Sequence, residues 1–176
     1  MLFWSPLKDT QNVEIYFKMT KKPHPSVSEL WNYFILSNPK FKNAHIPESY
    51  YFCDNEKDAN ECLQWVVEGV KRATTTSMWW FETNKHPLPQ IGDLYIVTDW
   101  DGIAKAIIQI LKIDQTPFNK ITAEYAEIEG EGDKSLAYWN KVHWDYYTRE
   151  MNEKGETPTE DMLLVCEQFQ TVCIKK

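Results

Sequence analysis

Glycine is scarce in this chain, and each of its six glycines, at 69, 92, 102, 130, 132 and 155, lies where a hydrophobic pattern stops. Glycine weakens the interior of helices and strands, so this placement divides the chain into elements. Asp54 through Glu68 carries Ala59, Cys62, Leu63, Val66 and Val67 at helical spacing, and Gly69 stands where a left-handed C-terminal cap is wanted. Residues 72–80 then combine three Thr, one Ser and two Trp, a strand composition in which Trp79 and Trp80 point to opposite faces. Leu94–Thr98 and Ala104–Ile113 read as strands joined at Asp101-Gly102, a strong hairpin signal. A short helix is expected near Ala123–Glu129, and a longer one over Ser135–Asn152 with Asp133 as its cap. Residues Asp161–Ile174 close the chain as strand.

Upstream, Ser26 or Ser28 can cap a helix through Ser37, with Val27, Leu30, Trp31 and Phe34 on one face. Val13–Phe17 suggests a short strand or docked arm, broken by Pro23-His24-Pro25. Residues 1–25 therefore separate as an appendage from a domain spanning 26–176. Paired strands are adjacent in sequence, which predicts an α+β domain with a mostly antiparallel, curved or closed sheet and helices packed on it.

Composition narrows the function. The formal net charge is −7, and the basic residues form only pairs such as Lys71-Arg72. A protein gripping extended duplex DNA through many phosphates needs a basic face, so the expected partner is a small ligand or a short RNA segment. Eight Trp are many for this length, and a large ring with one N–H donor suits a half-buried site. The four cysteines form no C-x-x-C pair, and no signal peptide or membrane-spanning run precedes them. They read as reduced thiols in a cytoplasmic protein. The four histidines lack zinc-ligand spacing, so neither a metal nor a cofactor is expected. His143 reads as a packing residue.

Four groups of residues have chemical potential. Gly69-x-Lys71-x-x-Thr74 places an ammonium and a hydroxyl on one corner between helix and strand. A lysine there can equally complement the helix dipole. Glu127–Asp133 alternates carboxylates with glycines, yet lacks the calcium-loop spacing and reads as an inter-helix turn. Arg72 can contact phosphate. Trp79 or Trp80 can stack a base.

Together these segments resemble the ASCH domain family. The likeness rests on Gly69-x-Lys71-x-x-Thr74, on Ile91-Gly92-Asp93, on Glu124-Tyr125-Ala126 followed by Glu129-Gly130-Glu131-Gly132-Asp133, and on Trp139 with Val142-His143-Trp144. It covers roughly residues 27–172. The resemblance implies a PUA-like fold, a small β-barrel with surrounding helices and a cleft beside the G-x-K-x-x-T turn. It also implies recognition of RNA or a nucleoside. Some small bacterial members resemble amidohydrolases that remove an acyl group from N4-acetylcytidine, and others are reported as ribonucleases. In the amidohydrolase pattern the catalytic positions fall on Lys71, Thr74 and Glu129. Gly69, Arg72, Thr76, Trp79, Trp80 and Glu131 are the candidate ligand contacts beside them. The short members carry an Arg where this chain has Thr76. Three functions follow in order: an amide hydrolase, a non-catalytic RNA or nucleotide reader, and a ribonuclease.

Overall fold

The computed structural model describes residues 23–175. The suggested strand at Val13–Phe17 lies outside the described residues, as does most of the proposed appendage. Helix α1 (Pro25–Ser37) is capped by His24, whose side chain accepts from the Ser26 amide, and not by either serine. Pro25 at the first turn removes a donor that would have no partner there. The other elements are β1 (Ser49–Tyr50), α2 (Glu56–Val67), β2 (Ala73–Ser77), α3 (Met78–Asn84), β3 (Leu94–Thr98), β4 (Ala104–Pro117), α4 (Ala123–Glu129), α5 (Leu136–Asn152) and β5 (Leu163–Ile174). No helix among the described residues is long and apolar enough to cross a membrane.

The strands form one five-stranded sheet in the order β1-β3-β4-β5-β2. Only the β1–β3 pair is parallel. The α+β, PUA-like class is as the sequence implied, but the sheet stays open, with β1 and β2 as its edges. The expected β4 is too short at Ile113: the strand continues to Pro117 because β5 pairs with it as far as Leu163. Register shifts at Ile107/Ile108 and Ile110/Lys112 bend this long ribbon.

Side chains alternate along β5 and so build two cores. Phe169 meets Cys62, Leu63 and Val66 of α2, and Val165 meets Trp80 and Phe81 of α3. Leu164 and Cys166 face the other way, onto Trp139, Tyr146 and Tyr147 of α5. Helix α1 packs on Ile96, Ala104 and Ile107. The Thr-rich segment is a strand only through Ser77. There the serine hydroxyl accepts from the Trp80 amide at 3.1 Å and starts a helix, so Trp79 and Trp80 lie on α3 and not on strand faces.

Candidate functional site

The turn from α2 into β2 carries Lys71. Gly69 adopts φ 73° and its amide bonds Val66 O at 3.1 Å, while the amides of Val70 and Lys71 both return to Trp65 O. The chain then leaves toward β2, and the Arg72 amide bonds Ile128 O of α4 at 3.0 Å. At the end of α4, Gly130 has φ 76°, and a Cβ built on it would lie 2.4 Å from Val70 O. This missing side chain lets the end of α4 close on the turn and sets Glu129 beside Lys71.

Lys71 is 1% exposed. Its Nζ lies 2.6 Å from Glu131 Oε1, 3.4 Å from Glu129 Oε1 and 5.0 Å from the centre of the Phe52 ring. Burial favours the neutral amine, but the charges of Glu131 and Glu129 outweigh it, and the lysine pKa is raised. Lys71 therefore holds its proton and is a charged donor, not a neutral base. Glu129 is equally buried. Its Oε2 accepts from Trp139 Nε1 at 2.6 Å and from Thr75 Oγ1 at 2.8 Å, and its Oε1 faces His143 Nε2 at 3.5 Å. Burial opposes its charge, yet Lys71 and His143 prevail and hold it below the ordinary carboxylate range.

His143 stacks on Trp139 with ring centres 4.0 Å apart, and its Nδ1 lies 3.0 Å from Trp139 O. Only the imidazolium can donate from both nitrogens, to that carbonyl and to Glu129. Burial disfavours that cation, but Glu129 overrides it and the pKa is raised. With His143 protonated, the cluster holds two cations and two carboxylates and is formally neutral. Trp139 and His143 are four residues apart on α5, a spacing that marks them as helix neighbours. Nothing in that spacing points to Glu129.

A cleft of about 160 Å³ opens onto this cluster, lined at its floor by Thr74, Glu129, Glu131 and His143. Asp58, Glu61 and Asp145 also line it, and Arg149 bonds Asp54 across its edge at 2.9 Å. Thr74 is buried and lines the cleft, while its neighbour Thr75, missed in the sequence reading, is the threonine that bonds Glu129. The Tyr125 hydroxyl donates to Thr74 O at 2.9 Å and Tyr147 to Thr75 O at 3.1 Å, so α4 and α5 fix β2 from one side. Thr74, Glu129 and Glu131 thus line one cleft, and Lys71, which is not part of that lining, pairs with both carboxylates from behind it. The structure does not bring the other expected contacts to the cleft lining. Arg72 is exposed, Thr76 is buried in β2, and Trp80 sits in the α3 core. Trp79 Nε1 donates to Glu156 at 2.8 Å. Asp133 does not cap α5: Ser135 does, and Asp133 accepts from the Ser135 amide.

The profile described as the ASCH domain matches residues 48–173. The crystal structure of an ASCH domain from Lactobacillus crispatus JV V101 superposes with a TM-score of 0.80 at 33% identity, covering 88% of this chain and 98% of that one. Protein EF3133 from Enterococcus faecalis V583 superposes with a TM-score of 0.76 at 29% identity, covering 85% and 89%. No curated protein matches the chain.

Proposed function

The chain belongs to the ASCH domain family, and on that footing we propose that it is an amide hydrolase removing an acyl group from a modified nucleoside of the N4-acetylcytidine kind. The observation that carries this reading is a fully buried, charged Lys71 beneath a cleft that Thr74 and two carboxylates line. An ammonium fixed in a water-poor site suits an oxyanion that develops during acyl transfer. Thr74 Oγ would attack the acyl carbon, and Lys71 Nζ would stabilise the tetrahedral oxyanion. The leaving amine would take up the proton that the threonine lost.

The charges at the rim are paired: Lys57 lies 4.0 Å from Asp58 and 3.6 Å from Glu61, Lys141 lies 2.6 Å from Asp145, and Arg149 lies 2.9 Å from Asp54. The arginine of the lining is thus committed to a carboxylate, which supports a ligand without phosphate. The cleft is also below the roughly 300–1,000 Å³ typical of drug-sized ligand sites, which suits the acylated base edge with the sugar left in solvent.

Incubation with N4-acetylcytidine, followed by chromatography of cytidine and acetate, tests the reading. Wild type is expected to release both, and Thr74→Ala to lose about three or more orders of magnitude in rate. Binding of the nucleoside without acetate release would instead identify a non-catalytic reader.

A further inference from the structure

The two carboxylates beside Lys71 differ in what occupies their oxygens. The resemblance casts Glu129 as the acidic catalytic residue, yet its acceptor positions are filled. Trp139 Nε1 and Thr75 Oγ1 take Oε2, and Lys71 Nζ and His143 Nε2 approach Oε1. A carboxylate offers about four lone-pair sites, so a fifth proton has no natural approach. Glu131 is the reverse. Its Oε1 accepts from Lys71 at 2.6 Å and lies 3.5 Å from Cys62 Sγ, whereas among the described residues no donor bonds its Oε2. Its side chain is 15% exposed against 1% for Glu129, and it lines the cleft.

The loop that carries Glu131 is held. Gly130 approaches Val70, and a Cβ on Gly132 would lie 2.3 Å from the Tyr138 ring. The approach of Gly130 to the Val70 backbone, which cannot rotate aside, fixes where Glu131 stands, and that is what a preorganised proton acceptor needs.

Given the amide-hydrolase reading, we propose that Glu131 Oε2 is the general base of the reaction and that Glu129 is a positioning residue. The proton of Thr74 Oγ passes to Glu131 as the oxygen bonds the acyl carbon. The tetrahedral intermediate collapses with cleavage of the C–N bond, and Glu131 returns the proton to the departing amine. A water then gives a proton to Glu131 and attacks the acyl-threonine ester. Acid is released, and the proton restores the threonine hydroxyl. The sum is amide plus water giving carboxylic acid plus amine. The groups facing Glu131 are Lys71 from the turn, Cys62 from α2, Glu129 from α4, and Tyr138 and His143 from α5.

The test measures acetate release from N4-acetylcytidine by E131Q, E131A and E129Q, with thermal unfolding of each. Removing a general base costs about 10²–10⁴-fold in rate, so E131Q is expected to lose that much kcat with little change in KM, and to lose some Tm because Lys71 then keeps only Glu129 as a charged partner. Formate should restore part of the rate to E131A, which a merely structural role does not predict. E129Q should lower Tm more than E131Q does, lose less kcat than E131Q in its folded fraction, and gain nothing from formate. A wild type that hydrolyses the amide while E131Q keeps near-normal kcat overturns the assignment of Glu131 alone. A well-folded wild type that releases no acetate overturns the hydrolase reading and this inference together. If E131Q does not fold, failure of formate to rescue a folded E131A is the overturning result.

Discussion

Trp139 Nε1 donates to Glu129 Oε2 at 2.6 Å, across a ten-residue separation that spans the α4–α5 junction. Both side chains are buried, so the indole satisfies a charge that water barely reaches. Replacing it with phenylalanine deletes the donor and leaves a void beside His143. Trp139→Phe is expected to cost about 2–4 kcal/mol in urea unfolding, combining a lost bond to a charged group with a cavity. Trp79→Phe is the control, because Trp79 donates to an exposed partner, Glu156. It should cost less than about 1 kcal/mol.

Lys71 neutralises two carboxylates from a position almost without solvent. Lys71→Met keeps the stem and removes the charge, leaving both acids without that partner. Breaking a buried pair in this way costs about 3–5 kcal/mol. Adding Glu129→Gln should recover part of the loss, with a coupling energy of about 1–3 kcal/mol in a double-mutant cycle. Strictly additive costs would mean that the short distances carry no energetic coupling.

The legible parts of this fold are those with local causes. Ala59, Cys62, Leu63 and Val66 recur on one face of α2 and are buried, and Gly69 ends that helix region in the left-handed conformation. The hairpin at Asp101-Gly102 and helix α4 follow from equally local signals. Trp79 and Trp80 defeat the same logic. The Thr-rich run before them has strand composition, and the competing signal is one serine hydroxyl reaching the Trp80 amide. The candidate site divides in the same way. Thr74 and Glu129 line one cleft, and Lys71 reaches it only through its ion pairs with Glu129 and Glu131. The bonds of Thr75, Trp139 and His143 to Glu129 depend on how α4, α5 and β2 pack, and chain spacing holds no record of that.

Stability should depend on pH in a definite sense. Burial pushes the carboxyls of Glu150 and Glu167 up to about 8. A carboxyl whose pKa is higher in the folded state stabilises the fold while protonated. Its contribution is whole below the ordinary value near 4.5 and is lost as pH rises through 8. His143, also raised, contributes fully below its ordinary 6.5 and loses that contribution as pH rises through its folded value. Glu129 has the opposite sign: its contribution is present above 4.5 and is lost in acid. The melting temperature should therefore peak near about pH 4.5, where Glu129 is already charged and Glu150 and Glu167 are still protonated, and fall toward about pH 8.5. Glu150→Gln should flatten that fall, gaining on the order of a few kcal/mol at the alkaline end and little at about pH 5. A profile that rises from about pH 6 to 8.5 would contradict these directions.

Gly130 and Gly155 separate backbone strain from close approach. Their φ angles are nearly equal, 76° and 74°, so an alanine pays a similar conformational cost at each. That cost is about 1–2 kcal/mol for a left-handed residue. Around Gly155 an added Cβ meets nothing within 4 Å, but at Gly130 it meets Val70 O at 2.4 Å and Val70 C at 2.9 Å. Those are backbone atoms of the turn that carries Lys71, and they cannot rotate aside. Gly130→Ala should therefore cost more than Gly155→Ala by about 1–3 kcal/mol, the usual range for overpacking. Because relief requires α4 to retreat from the turn, Gly130→Ala should also weaken the Lys71–Glu129 coupling, while Gly155→Ala should leave it intact. Equal costs in urea unfolding and an unchanged Lys71–Glu129 cycle would show that the cluster does not depend on this contact between the helix end and the turn.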